Sequence, residues 1–151
     1  MAVLAWGKPK IEIAPYVAGA LPASPIWAEV PTPKEGTTVL TPTKGTQKKA
    51  TKEGGGVVDV RYGENSYNFV FDLQVTRGFT KPIEDVNGVV INNYAVRLTP
   101  EDESLEGFVM EKTVVSVEEG FSAEDGKFYK YTFEGLTPAT GNIVKPYTKA
   151  L

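Results

Sequence analysis

The sequence of 151 residues contains no cysteine and no histidine. Without cysteine there are no disulfides, no thiolate nucleophiles and no zinc fingers, and without histidine the Ser/His/Asp triad and the imidazole proton shuttle are missing. Carboxylates remain as general acids or bases, but the sequence does not place two of them as the pair that a glycosidase uses. We therefore expect a protein that is not an enzyme and that binds no cofactor or metal ion.

Long apolar runs are also missing. The longest stretch without a charged residue, 13–28, has 16 residues and is broken by Pro15, Pro22 and Pro25. A membrane-spanning helix needs about 20 apolar residues, so we expect no membrane span. The first residues have neither the basic leader nor the apolar core of a signal peptide. Together with the lack of cysteine, this predicts synthesis and use in a reducing cytoplasm.

The net charge of −3 gives no general attraction for nucleic acid or an acidic membrane, but the charge is unevenly distributed. Residues 1–53 hold seven lysines and four glutamates, whereas residues 54–151 hold nine basic and fifteen acidic residues. Four lysines form the basic extreme: Lys44, Lys48, Lys49 and Lys52. The acidic extreme, between residues 101 and 125, includes Glu101, Asp102, Glu103, Glu118 and Glu119. These runs are either solvated surface or complementary ends of a self-associating subunit.

Seven of the eleven prolines lie in the first 42 residues. Proline removes a backbone donor and interrupts helices and central strands, so residues 1–36 are expected to form an extended arm with short strands at 10–13 and 26–30. Trp6 and Trp27 either pack in the core or dock this arm onto the body or onto a neighbouring subunit.

Residues 37–56 are rich in threonine, lysine and glycine and end in three consecutive glycines. This composition predicts a long mobile polar loop, or a hairpin with a flexible base. Loops of this length are usually functional or disordered. No Walker or Gly-x-Gly-x-x-Gly spacing is present, so the glycines are not interpreted as a phosphate-binding loop.

Residues 57–151 show the pattern of a β core. Apolar and polar residues alternate from Tyr67 to Val75, which predicts a half-buried strand. A preceding strand is expected at 58–62, with a turn at 62–65 that joins the two into a hairpin.

Two further hairpins are predicted from Asn-Gly and Asp-Gly pairs, whose residues tolerate the positive φ of tight turns. Asn87-Gly88 predicts pairing of 81–86 with 89–98, and Asp125-Gly126 predicts pairing of 112–121 with 127–135.

One short helix is predicted at about 100–106. Thr99 can cap it, Pro100 suits its first position, and the acidic residues that follow favour a helix N-terminus. The expected fold is thus mainly β: one domain over residues 1–151 with an antiparallel β-sandwich or barrel, one short flanking helix and a long polar loop.

Three segments, in this order, resemble the tail tube proteins of tailed bacteriophages and the related tube proteins of type VI secretion. After the polar loop the sequence reads EGGGVVDV at 53–60, then LTPED at 98–102 and YKYTFEGLTP at 129–138. The resemblance implies a β-sandwich or barrel with a short helix, whose subunits form hexameric rings that stack into a hollow tube.

In that family a long loop or hairpin reaches onto the adjacent ring, and the terminal arms bind neighbours. The loop at 37–56 and the arm at 1–36 match these roles by position. The resemblance therefore implies a virion protein, assembled in the host cytoplasm, whose partners are itself, other tail proteins and DNA that passes through the lumen without sequence-specific binding. The expected inter-subunit contacts are the four lysines, the two tryptophans and the five acidic residues named above.

Two alternatives stay open at this point. One is a monomeric β-sandwich module that binds a glycan or a protein through exposed aromatic residues. The other is a different virion component, such as a connector or baseplate protein.

Overall fold

The computed structural model describes Leu4 and residues 6–149, and within them the chain is built from β-strands with no helix. The strands are β1 Lys10–Pro15, β2 Ala28–Glu29, β3 Val39–Thr43, β4 Gln47–Thr51, β5 Val57–Tyr62, β6 Ser66–Gln74, β7 Tyr94–Thr99, β8 Gly107–Ser122, β9 Gly126–Gly135 and β10 Lys145–Tyr147. The mainly β prediction is confirmed. In this described part, no helix is long and apolar enough to cross a membrane.

Eight strands form one antiparallel sheet in the order β2-β1-β7-β8-β9-β6-β3, with β10 paired to the first residues of β8. The long strand β8 pairs with β7 along its first half and with β9 along its second half. The two halves of the sheet pack against each other across the core, where the rings of Phe69 and Phe108 lie 5.1 Å apart. The arrangement is sandwich-like.

The core is built from the alternating strands β6 and β9. Phe69, Phe71 and Leu73 are fully buried, as are Tyr131 and Phe133 opposite them. The ring of Phe71 lies 5.6 Å from that of Phe133 and 5.8 Å from that of Tyr131. Burial of each such side chain stabilises the fold by about 1.5–3 kcal/mol. The predicted alternation at 67–75 is confirmed.

The proline-rich N-terminal part belongs to the sheet as well. The strand predicted at 10–13 is β1, whose Ile11 and Ile13 are buried, whereas the strand predicted at 26–30 is reduced to the two residues of β2. Residues 30–37 then cross from β1 to β6, because Val30 N donates to Ile11 O (3.0 Å) and Lys34 N donates to Asp72 O (2.8 Å). Of the predicted arm, residues 1–3 and 5 lie outside the described residues.

The helix predicted at 100–106 is wrong. These residues form turns between β7 and β8, in which Asp102 Oδ1 accepts hydrogen bonds from the backbone N (3.1 Å) and the hydroxyl (2.6 Å) of Ser104. Such side-chain bonds offer the backbone an alternative to the helix. A helix of two turns has little stability of its own, so the capping residues Thr99 and Pro100 are not sufficient to form it.

The loop predicted at 37–56 is corrected to two strands, β3 and β4, which do not pair with each other, so the alternative of a hairpin within 37–56 is not seen either. β3 pairs with β6, and β4 pairs with β5 in a separate two-stranded sheet. The predicted hairpin of β5 with β6 is therefore also wrong. The polar composition of 37–56 concealed these strands because β4 has no buried face.

The two other predicted hairpins differ in outcome. β8 and β9 pair from Ser122↔Gly126 to Thr113↔Gly135, as predicted. In the other predicted hairpin, Asn87 and Gly88 have the predicted positive φ values of 51° and 87°. The pairing on either side of this turn is limited to one bridge, between Val86 and Val89. Residues 81–86 form no strand, and the next strand, β7, begins only at residue 94.

Candidate functional site

A two-stranded hairpin projects from one end of the main sheet. β3 leads into β4, and β5 leads into β6, so that the β4–β5 pair continues the β3–β6 pair beyond the sheet. We call residues 44–65 the hairpin arm. At about 3.3 Å per strand residue, the arm is roughly 30 Å long.

The two faces of the hairpin arm differ. Gln47 lies opposite Tyr62 and Lys49 opposite Val60 on one face, whereas Lys48 lies opposite Arg61 and Ala50 opposite Asp59 on the other. Two cations directly opposite each other repel, and the carboxylate of Asp59 offsets this by pairing with Arg61 Nε at 3.1 Å. The arm as a whole carries five basic and three acidic side chains.

Apolar side chains on the hairpin arm are unusually exposed. Val57, Val58 and Tyr62 expose 55%, 67% and 53% of their surface, and none of the five β4 residues is buried. A two-stranded hairpin without a packed face is only marginally stable on its own. The arm thus presents surface that a second molecule could cover.

The base of the hairpin arm is held by polar contacts. We call residues 44–46 and 63–65 the knuckle, because neither strand ladder includes them. The ammonium of Lys44 lies 4.2 Å from the centre of the Tyr62 ring, and Gln47 Nε2 donates to the hydroxyl of Tyr62 (3.2 Å). These contacts join the two strands of the arm to each other at its base.

Four carboxylates lie at the opposite end of the sheet from the hairpin arm. They are Glu118, Glu119, Glu124 and Asp125, and we call this set the acidic end. The arm joins β6 at Ser66, whereas the β8–β9 turn lies beside Gln74, roughly 26 Å further along β6. The basic arm and the acidic end thus lie at opposite ends of β6.

Lysines partly neutralise the acidic end. Lys127 Nζ pairs with Glu119 at 3.3 Å, Lys34 Nζ pairs with Asp125 at 3.5 Å, and Lys130 lies opposite Glu118 in the β8–β9 ladder. These pairs are exposed, so solvent screens them and each contributes little to stability. The end is therefore less acidic than the sequence alone indicates.

The other predicted acidic residues lie elsewhere. Glu101, Asp102 and Glu103 are in the β7–β8 turn, at the start of β8, while Glu118 and the rest of the acidic end are near its finish. Glu101 Oε2 accepts a hydrogen bond from Lys8 N (3.3 Å) and Glu103 pairs with Lys149 Nζ (3.1 Å). The predicted acidic segment is thus divided into two groups.

The two tryptophans have different environments. Trp27 is half-buried and stacks on the guanidinium of Arg97. Trp6 is 76% exposed and lines an open cleft of about 620 Å³ between residues 6–9 and 32–38. Trp6 therefore remains a candidate for contact with another molecule, whereas Trp27 docks onto its own subunit.

Sequence reasoning missed the exposed apolar residues of the arm and the close packing at the knuckle. The alternation of Val58, Val60 and Tyr62 predicts a strand, but nothing in it indicates pairing with β4 instead of β6. The turn that follows β4, with Gly54 and Gly55 at φ 91° and 89°, is the signal that could have identified the β4–β5 pair.

A further charge contact in the described residues lies outside the hairpin arm. Asp85 accepts hydrogen bonds from Lys81 and from Gly88 N (2.7 Å), and these lower its pKa below the ordinary value, while the same contact raises the pKa of Lys81. This contact closes the 85–88 turn. Among the described residues no group of three or more acidic side chains is placed to hold a metal ion.

Comparison with protein-family models gives no match, and no curated protein is significantly similar in sequence.

Proposed function

We propose that the protein is a structural subunit of the tail tube type, which assembles with itself into stacked, hexameric rings. The observation that supports this most is the hairpin arm, which extends roughly 30 Å beyond the sheet and exposes nearly all of its side chains. Such an extension contributes little to the stability of its own subunit. It is well suited to bind the adjacent ring.

The placement of charge supports a head-to-tail contact. The basic arm leaves one end of β6 and the acidic end lies at the other, so one copy can place its arm against the acidic end of the next. A contact between two different surfaces of identical subunits propagates into rings and filaments, whereas a self-complementary contact stops at a dimer.

Apolar burial supplies most of the affinity in this proposal. Because the acidic end is partly neutralised by its own lysines, charge sets the register and the association rate. The exposed Val57, Val58 and Tyr62 then provide the apolar surface that becomes buried.

The proposal extends to location and partners. A tube subunit is a virion component, assembled in the host cytoplasm in contact with itself and with other tail proteins. The lumen of the tube conducts DNA without reading its sequence. The role is structural, and no catalytic step is part of it.

Sedimentation and electron microscopy of the concentrated protein test the proposal. We expect rings or tubes from the wild-type protein, and slower or no assembly when Lys48→Glu and Lys49→Glu are combined, with the effect shrinking as salt rises. Lys10→Glu combined with Lys112→Glu is the matched control, because it makes the same charge change on β1 and β8, outside the arm, the acidic end and the cleft beside Trp6. Equal assembly of both double variants at low salt would refute the electrostatic contact.

A monomeric binding module is the second candidate, and the cleft beside Trp6 favours it. The cleft combines an exposed indole with the polar side chains of Lys34, Glu35 and Thr38. An exposed indole next to polar groups is a common platform for glycans. A mass that stays at 16.4 kDa at all concentrations would favour this module over the tube subunit.

A further inference from the structure

The hairpin arm meets the sheet at a point where two backbones touch. A Cβ atom on Gly45 would lie far inside van der Waals contact with the carbonyl oxygen of Gly63 and 2.6 Å from that of Glu64. Both neighbours are main-chain atoms, which cannot rotate away as a flexible side chain could. Only glycine fits at position 45 while the arm keeps its direction.

Two hydrogen bonds hold the same point. Gly45 N donates to Asn65 Oδ1 (3.1 Å), and Gly63 N donates to Thr46 O (2.8 Å). The knuckle interrupts the strand ladder, but Gly45 N and Gly63 N both keep an acceptor there. The direction of the arm is therefore defined by packing as well as by hydrogen bonds.

We propose that Gly45 sets the direction in which the hairpin arm leaves the sheet, and that it is thereby a positioning residue for the contact with the next subunit. The second part rests on the proposed function. The first part is a property of the single subunit and can be measured without assembly.

The size of the effect follows from geometry. To reach ordinary contact, a Cβ on Gly45 must move the opposing strand by about 1 Å or more. Across a strand spacing of about 4.8 Å this tilts the arm by roughly 12°, which moves the tip of a 30 Å arm by roughly 6 Å. A shift of this size would move the tip of the arm away from its proposed contact surface on the next subunit.

Gly63→Ala provides a matched control. A Cβ on Gly63 would lie 3.5 Å from Thr46 N and 3.7 Å from Thr46 O, which is ordinary contact. The two variants make the same chemical change, on facing strands of the same knuckle. We expect only Gly45→Ala to redirect the arm.

The absence of cysteine from the sequence allows two labels to be placed uniquely. Glu53→Cys in the arm turn and Ser116→Cys on β8 take spin labels, and the distance between them is measured by pulsed electron paramagnetic resonance at a concentration below assembly. We expect a shift of roughly 6 Å for Gly45→Ala and none for Gly63→Ala. In unlabelled protein, the concentration needed for assembly should rise by about tenfold or more for Gly45→Ala alone.

The outcomes separate the two proposals. An unchanged distance in a folded Gly45→Ala variant overturns the role of Gly45. A shifted distance with normal assembly supports the role of Gly45 in arm direction and overturns the arm as the assembly contact. If Gly45→Ala does not fold by circular dichroism, Asn65→Ala is measured instead. It removes the acceptor of Gly45 N–H and also the weaker contact of Asn65 Nδ2 with the Tyr67 hydroxyl (3.4 Å). An unbroadened distance distribution in that variant overturns the proposal.

Discussion

The guanidinium carbon of Arg97 lies 4.3 Å from the centre of the Trp27 ring. The same guanidinium carbon lies 5.0 Å from the centre of the Tyr147 ring. Two guanidinium nitrogens of Arg97 also donate to the two carboxylate oxygens of Glu12, at 3.0 Å and 3.2 Å. One side chain of β7 thus joins the N-terminal segment, β1 and β10. Trp27 belongs to the fold of its own subunit, in contrast to Trp6.

Replacement of the two tryptophans should therefore have opposite consequences. Trp27→Ala should lower the free energy of unfolding by about 2 kcal/mol, because it removes half-buried apolar surface and the stacking on Arg97. Trp6→Ala should change it by less than about 0.5 kcal/mol, since the side chain is 76% exposed. Urea denaturation of the monomer measures both, and a Trp6→Ala variant as unstable as Trp27→Ala would show that Trp6 packs on the body.

Much of the sheet could be predicted because its signals are local. Alternation on β6 and β9 and the Asp125-Gly126 turn act over a few residues, and they place β8 and β9 in the register that the structure has. The pairing of β4 with β5 could not be predicted in this way. β4 has no buried face and leaves no alternating apolar pattern in the sequence, and the alternation on β5 does not indicate which strand it pairs with.

Burial of Tyr131 should make stability sensitive to alkaline pH. Its hydroxyl donates to Ile83 O (3.3 Å) in the core, and burial, together with the nearby carboxylates of Asp85 and Glu84, raises its pKa well above the ordinary value of 10.0. The folded state therefore holds the neutral phenol while the unfolded state ionises. This contribution is fully present below pH 10 and is lost as the pH rises further, by up to about 1.4 kcal/mol per pH unit.

Tyr131→Phe tests this dependence. At pH 7 the variant should lose about 1 kcal/mol, because the carbonyl of Ile83 loses its donor. Between pH 10 and 11.5 its stability should fall less steeply than that of the wild type, as measured by urea denaturation. Tyr62→Phe is the matched control, because it removes a phenol hydroxyl from the exposed arm and not from the core. Parallel curves for Tyr131→Phe and the wild type would argue against ionisation of Tyr131 on unfolding.

Asp85 should contribute in the acid range. The hydrogen bond from Lys81 and that from Gly88 N lower its pKa below the ordinary value of 3.8 in the folded state. The stabilisation is therefore present above about pH 4 and is lost as the pH falls through the folded pKa. Asp85→Asn should be less stable than the wild type at pH 7 and nearly equal to it at pH 2. A constant difference across this range would assign the effect to packing of the 85–88 turn.

The candidate site was only partly predictable. The four lysines at 44, 48, 49 and 52 lie together on the hairpin arm, which is expected because they are close in sequence. The acidic segment was treated as one surface, but the strand β8 places Glu103 before its start and Glu118 near its finish. The distance between Glu103 and Glu118 depends on the length of the extended strand β8, which is set by its pairing with β7 and β9. A count of charges along the sequence does not include this information.

The hairpin arm should be cleaved first by trypsin in the monomer. Lys44, Lys48, Lys49 and Lys52 are all exposed, and Lys52 adjoins the glycine turn, so we expect the earliest cut there. On assembly the arm should become protected, because the next subunit covers it. Mass spectrometry of the first fragments distinguishes these sites. Equal resistance of the arm in monomer and assembly would contradict both the marginal stability of the isolated arm and its burial on contact.

A reciprocal charge exchange should restore assembly between subunits. Lys48→Glu with Lys49→Glu weakens assembly by placing negative charge against the acidic end, and Glu118→Lys with Glu119→Lys weakens it by placing positive charge against the basic arm. When all four changes are combined in one chain, each arm again meets the opposite charge on its neighbour. We expect the fourfold variant to assemble faster than either double variant at low salt, with the difference shrinking at 1 M salt, where the screening length is about 3 Å. Circular dichroism of each variant controls for folding. If the fourfold variant assembles no better than the worse double variant, the arm and the acidic end do not meet, and the arm binds another surface of the ring.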